Sequence, residues 1–262
     1  MIDYKKKFSL KEKTCVVTGA AGLIGRETVT ALAQAGGRVV IADTDEAKGR
    51  ALEEALCRRS FKVLYRYFDI ADLSNLKTSI DDLVDHLGGV DVWVNSAYPH
   101  TEDFGEDDEH ISVESWRKNI DMHLNGYTLS AKFIAEKMRK KGGSIINLGS
   151  IYGVVGADPL LYKNTKMSNT MIYAAIKGGV VNFDRYLASY FGKYNVRVNT
   201  VCPGGVFDRH EKYFLKNYAA KTPLRRMAEA SEVASVILFL SCEAASYITG
   251  ATIMVDGGWT AI

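Results

Sequence analysis

Thr14-Cys-Val-Val-Thr-Gly-Ala-Ala-Gly-Leu-Ile-Gly25 passes from an apolar, β-branched run straight into a glycine-rich turn, and a helical pattern follows to Gly36. A short apolar run bounded by glycine reads as a buried strand. In the turn, Gly19, Gly22 and Gly25 flank Leu23 and Ile24, so backbone N–H groups and a helix N-terminus can come up against a pyrophosphate. The next strand, Arg38-Val-Val-Ile-Ala-Asp43, ends in a carboxylate. An acid about 20 residues past such a turn accepts hydrogen bonds from ribose hydroxyls and repels a 2′-phosphate. The expectation is a dinucleotide site with NAD(H) preferred over NADP(H). A glycine turn alone is often no more than a tight turn. The flanking strand, the helix and Asp43 carry the reading.

Outward from this unit, the alternation continues. The pattern predicts helix 45–59, strand 62–68, helix 72–87, strand 91–95, a long helix 112–140 and strand 143–149. A helix 172–191, strand 196–201, short helices within 208–220, helix 230–242 and strand 251–255 follow. Strands alternating with helices of this length give an α/β fold, a Rossmann-type doubly wound parallel sheet with helices on both faces. With no linker or repeat, residues 1–262 read as one domain. Two stretches break the rhythm. Residues 98–111 hold six carboxylates, from Glu102 to Glu109, and match no calcium-loop spacing, so a solvated loop is expected. Residues 154–170 form a long polar insertion, and loops of that length in a compact domain are often functional.

Composition narrows the function classes. A chain of 262 residues, 47% hydrophobic and 24% charged, has the make-up of a globule with ample core. The net charge of +2 argues against nucleic acid or membrane as the main partner. No stretch has the length of a membrane span, and the N-terminus lacks a secretory signal, so a cytoplasmic location is expected. Cys15, Cys57, Cys202 and Cys242 stand singly among apolar neighbours and read as reduced, buried thiols. No metal site is expected.

Acid–base chemistry points to Ser150 and to Tyr173-Ala-Ala-Ile-Lys177. On a helix, Tyr173 and Lys177 are i,i+4 neighbours. An ammonium beside a phenol favours phenolate and lowers the tyrosine pKa toward working pH. A serine hydroxyl nearby can polarise a carbonyl or alcohol oxygen. Tyr162 and Lys166 repeat the spacing, but Tyr162 is followed by polar residues, whereas Tyr173 leads into an apolar helical face.

The chain resembles the classical short-chain dehydrogenase/reductase family over essentially its whole length. The resemblance rests on an ordered set: Thr18-Gly19 to Gly25, Asp43, Phe68-Asp69-Ile70, Asn95-Ser-Ala97, Asn147-Leu-Gly-Ser150, Tyr173 to Lys177, Arg197-Val-Asn199, Pro203-Gly204 and Val255-Asp-Gly-Gly258. The family's near-constant distance from lysine to Pro-Gly fits Lys177 and not Lys166. The resemblance implies hydride transfer between a nicotinamide and a secondary alcohol or ketone. Tyr173 would be the general acid/base, Lys177 would hold the nicotinamide ribose, and Ser150 would hold the substrate oxygen. Asp69 and Ile70, Asn95 and Ala97, and Pro203, Gly204 and Val206 would line the cofactor. It also implies a small-molecule substrate and a homotetramer or homodimer, with the last strand and the tail at the interface.

Three departures stand out. The middle glycine falls at Gly22, one place early, as in the extended subgroup of epimerases and dehydratases. His123 stands where the family has an asparagine that holds a proton-relay water. Histidine titrates near neutral pH, so a relay role and simple packing are both open, with Asn119 able to share the role. Asp208 replaces a threonine near the carboxamide, and capping the next helix is its expected role. Tyr162 to Lys166, with Arg209, His210 and Lys212, suggest a polar rim suited to a sugar derivative, and the pattern resembles oxidoreductases of surface-glycan and flagellin modification. The alternatives are a 3-ketoacyl-thioester reductase and a cofactor-binding protein with little catalysis.

Overall fold

The computed structural model describes residues 1–105, 111–165, 168 and 170–262. Its centre is a seven-stranded sheet: β1 (Thr14–Thr18), β2 (Arg38–Asp43), β3 (Val63–Tyr67), β4 (Val92–Asn95), β5 (Gly143–Leu148), β6 (Val196–Pro203) and β7 (Thr252–Val255). Every pairing is parallel, and the spatial order is β3-β2-β1-β4-β5-β6-β7. β1 and β4 are buried along their whole length. Parallel strands covered on both faces need such continuous apolar runs. The strand order reverses between β1 and β4, which opens a crevice at their carboxyl ends.

After a short α1 (Tyr4–Lys7), the helices are α2 (Leu23–Gln34), α3 (Glu46–Cys57), α4 (Leu76–Leu87), α5 (Val113–Asn119), α6 (Gly126–Met138), α7 (Met171–Phe191), α8 (Lys212–Lys221) and α9 (Ala230–Ser241). Their ends follow local chemistry. Asp45 caps α3 through the Lys48 N–H at 2.9 Å, and Ser112 caps α5 through the Ser115 N–H at 3.0 Å. A reciprocal Glu229–Glu232 capping box opens α9.

Four expectations need correction. The long helix 112–140 is interrupted by a π-helical turn, Ile120–Asn125, which joins α5 to α6 and carries His123. π turns inside helices recur at functional sites. Residues 208–220 hold the single helix α8, and its N-cap is Glu211. Asp208 therefore does not cap it; its N–H instead donates to His210 Nδ1 at 3.1 Å. Finally, Cys57 is exposed at the end of α3, while the other three thiols are buried and all four are free. Of the acidic loop, residues 106–110 lie outside the described residues, as does Lys166. Asp103 accepts a bond from the Ser115 hydroxyl at 2.7 Å. No three His, Cys, Asp or Glu side chains among the described residues gather to hold a metal.

Candidate active site

A cleft of about 480 Å³ lies at the crevice between β1 and β4. Its floor is the β1–α2 turn. Gly19 has φ +63°, and a Cβ there would lie 2.3 Å from Ala97 Cα. A Cβ on Gly25 would lie 2.1 Å from the Gly19 carbonyl oxygen. Any side chain at either place would push the turn apart. Gly22 is the N-cap of α2 and has no side chain to bond the first-turn amides of Leu23, Ile24 and Gly25. The cradle is therefore backbone only, with a helix N-terminus aimed into it, and it suits a pyrophosphate.

Asp43 ends β2 at the cleft's edge. Its Oδ2 accepts from Ala21 N at 2.8 Å and its Oδ1 from Asp45 N at 2.9 Å, so the carboxylate is pinned against the glycine turn. Asp69, Ile70, Ser96 and Ala97 line the opposite wall, and Lys48, which the sequence did not single out, joins Asp43 on its side. Ala97 is held by the Tyr127 hydroxyl, which donates to its carbonyl at 2.6 Å.

Asn95 is not on that wall. It is fully buried beneath the cleft, where its Nδ2 donates to Asn147 Oδ1 at 2.8 Å and its Oδ1 accepts from Trp93 Nε1 at 2.8 Å. Asn147 passes the chain to Asp184 at 2.6 Å, which also accepts from the Thr200 hydroxyl at 2.6 Å. Burial raises the Asp184 carboxyl to about 7, against the lowering effect of those two bonds. Pro203 is buried, and Gly204 and Val206 are half-buried at the end of β6. They pack against α8 and the chain that follows it. A Cβ on Gly204 would meet the Tyr218 hydroxyl, and Val206 bridges to Ala228.

The acid–base residues converge where β5 and β6 end. Ser150 is buried just past β5 in extended conformation, and its hydroxyl is near enough to the Tyr173 phenol to lower the phenol's pKa. Tyr173 and Lys177 share one face of α7 near its N-terminus. Lys177 Nζ donates to the Leu148 carbonyl at 2.8 Å, sits 3.1 Å from His123 Nε2, and lies 5.6 Å from the centre of the Tyr173 ring. Burial pushes the lysine down to about 7 and the phenol up to about 12, the latter despite the lowering influence of Ser150. The expected lowering of the phenol by the lysine does not appear, because desolvation disfavours both charged forms.

His123 is fully buried, and burial and the neighbouring Lys177 hold its pKa well below the ordinary imidazole value. Both effects work against the expected titration near neutral pH. Its Nδ1 has no hydrogen-bond partner among the described residues. The Asn119 side chain is occupied by other partners. Its Nδ2 donates to the Thr101 hydroxyl at 2.7 Å and to Ser115 O at 2.9 Å, and its Oδ1 accepts from Thr101 N at 3.0 Å.

The most visible feature missed from the sequence is aromatic. Three rings meet Tyr173 edge-on: Tyr98 at 6.0 Å, Phe104 at 6.2 Å and Tyr152 at 6.4 Å between centroids. Tyr98 directly follows Asn95-Ser-Ala97, so the signal was present in the sequence, but its direction was not. Together they surround the Tyr173 phenol with rings, and Tyr98 also lines the cleft shaped for a dinucleotide. Such an arrangement can move a proton on and off a carbinol oxygen.

The chain belongs to the short-chain dehydrogenase/reductase family. A family model described as enoyl-(acyl carrier protein) reductase matches residues 19–260. Trans-4-hydroxycyclohexanecarboxylate dehydrogenase of Sinomonas cyclohexanicum is 36% identical over 257 residues, covering 95% of this chain and 93% of the relative. Post-translational flagellin modification protein A of Campylobacter coli is 31% identical over 254 residues, 95% of this chain and 99% of its own. The crystal structure of a short-chain dehydrogenase from Leptospira borgpetersenii with bound NAD⁺ superposes with a TM-score of 0.85 at 29% identity, covering 99% of this chain and 96% of that one. The protein is an oxidoreductase of this family, acting on CH–OH groups with a nicotinamide cofactor.

Proposed function

We propose that the protein is an NAD(H)-dependent dehydrogenase that interconverts a secondary alcohol and a ketone, with Tyr173 as general acid/base. The observation that carries this is the buried Ser150, near enough to the Tyr173 phenol to draw its pKa down, with Lys177 one helical turn on. Ser150 orients the substrate oxygen, and Tyr173 Oη exchanges its proton. A nicotinamide held in the cleft would supply the hydride acceptor for the carbinol carbon in oxidation and the donor in reduction. In the reductive direction the phenol is already protonated at neutral pH, as a general acid must be. The NAD(H) preference rests on Asp43, whose carboxylate would face a 2′-phosphate across the cleft. The same carboxylate argues against the NADPH-linked 3-ketoacyl-thioester reductase.

For the substrate, the aromatic enclosure favours an alicyclic ring over a sugar, and the relative that acts on a hydroxycyclohexanecarboxylate supports that choice. The sugar-derivative reading rests on the polar rim, where Arg209 and Lys163 are exposed. We further infer assembly as a homodimer or homotetramer through the half-exposed β7, and a cytoplasmic location, where nicotinamide cofactors are supplied. No helix among the described residues is long and apolar enough to cross a membrane. The test is a panel of alicyclic alcohols, polyols and sugar derivatives with NAD⁺. NADH should form with the ring alcohols. Binding of NADH with no turnover across the panel would count against a dehydrogenase.

A further inference from the structure

His123 lies on the π turn between α5 and α6, fully buried, with its ring against Tyr98 at 5.4 Å and Tyr127 at 5.0 Å. A polar side chain this deep ordinarily has its polar atoms paired. Here Nε2 lies 3.1 Å from Lys177 Nζ, while Nδ1 has no partner among the described residues. A separation of 3.1 Å leaves no room for a bridging water, so the imidazole touches the lysine directly. That contact differs from an asparagine that holds a water.

The donor inventory gives the bond its direction. An ammonium has three donors and no acceptor. One Lys177 N–H goes to the Leu148 carbonyl at 2.8 Å, and the Tyr127 ring face lies 5.1 Å from the charge. Among the described residues, His123 Nε2 is the side-chain acceptor bonded to this buried cation, and no carboxylate is bonded to it. A buried ammonium without acceptors discharges, and burial already takes Lys177 down to about 7. For Nε2 to accept, the imidazole must be neutral with its proton on Nδ1. Burial and Lys177 itself keep it neutral. The unpaired Nδ1–H is then the cost of turning an acceptor toward the lysine. The other groups that bear on the pair are Tyr173 on α7, Cys202 on β6 and His100 in the loop after β4. We propose that His123 is a positioning residue that works as an acceptor. Its Nε2 and the Leu148 carbonyl hold the Lys177 ammonium and leave the third N–H for a nicotinamide ribose hydroxyl. In this role the imidazole carries no proton itself. The kinetic part of the test below rests on the dehydrogenase reading above.

A bond to the charged form raises the lysine's pKa, so loss of the bond lowers it. NADH affinity, followed by fluorescence titration of the full chain across neutral pH, should fall as Lys177 discharges. His123→Phe keeps a ring against Tyr98 and Tyr127 but has no acceptor. It should move that fall about one pH unit lower, the worth of one bond to a charged group. It should also cut kcat/KM for cyclohexanol with NAD⁺ by about tenfold at neutral pH. His123→Gln, whose amide oxygen can accept and does not titrate, should recover most of both losses. His123→Leu replaces His123→Phe if the larger ring fails to fold. A variant without an acceptor that behaves as the wild type would overturn the proposal in favour of packing alone. A His123→Gln as slow as His123→Phe, with the NADH curve unmoved in both, would overturn it in favour of a proton carrier. A wild-type NADH affinity that does not change with pH would overturn it as well. A shifted NADH curve beside a wild type that oxidises no alcohol would uphold the lysine contact and overturn the dehydrogenase reading instead.

Discussion

The two halves of the active site are built in opposite ways. The floor of the dinucleotide half is continuous in sequence: β1, its glycine turn, α2 and Asp43 lie within one βαβ unit, held by backbone and a pinned carboxylate, and Asp69, Ile70, Ser96 and Ala97 complete the cleft. The substrate half is assembled from distant pieces. Tyr98 and Phe104 come from the loop after β4, Tyr152 from the turn after β5, Tyr162 from the insertion and Phe214 from α8. Backbone geometry fixes the first half, so almost any change there is felt. Side-chain packing fixes the second, so it can be rebuilt for another substrate while the chemistry stays.

Substitutions can break this comparison. The largest effect is expected at Tyr173, which serves both halves. Tyr173→Phe should lower kcat by about a thousandfold while leaving NADH affinity within about threefold, measured by steady-state rates and fluorescence titration. Gly25→Ala comes next. Its Cβ would fall 2.1 Å from the Gly19 carbonyl, so it should weaken NADH binding strongly and lower stability by about 1–3 kcal/mol in chemical denaturation. Asp43→Asn should shift the NADPH-to-NADH affinity ratio toward NADPH by on the order of tenfold or more; an unmoved ratio would remove Asp43 from cofactor choice.

In the substrate half the effects should be smaller and selective. Phe104→Ala should cut kcat/KM for a ring alcohol by about tenfold, the worth of a lost aromatic contact, without moving NADH affinity. A parallel loss of NADH affinity would mean the two halves are not separable there. Asp184 should affect stability alone. Its carboxyl is raised from 3.8 to about 7, so its contribution to stability is present at low pH and is lost as pH rises from about 4 through about 7. Asp184→Asn should flatten that part of the stability–pH curve, a change on the order of 1–3 kcal/mol.

The same contrast explains what was legible in the sequence. Buried parallel strands are apolar runs, so β1, β2 and β5 could be read directly, as could the glycine turn, whose residues are dictated by backbone clearance. Tyr173 could be separated from Tyr162 because one precedes an apolar helical face and the other does not. The π turn around His123 could not be read, because a register shift inside a helix leaves no period of its own. Nor could the fate of Asn95, since a polar residue at a strand end looks the same facing a cleft or a buried Asn147. The effect of burial on Tyr173 and Lys177 could not be read either, because spacing records their proximity and not their burial. The aromatic enclosure depends on contacts between loops far apart in the chain.

The central claim is that Tyr173, and not its near-duplicate Tyr162, exchanges the substrate proton. The most direct test is the initial rate of NADH formation from a ring alcohol by Tyr173→Phe and Tyr162→Phe under saturating NAD⁺. The account predicts that Tyr173→Phe is nearly inactive, while Tyr162→Phe keeps turning over and changes mainly in KM. An active Tyr173→Phe beside an inactive Tyr162→Phe would contradict it.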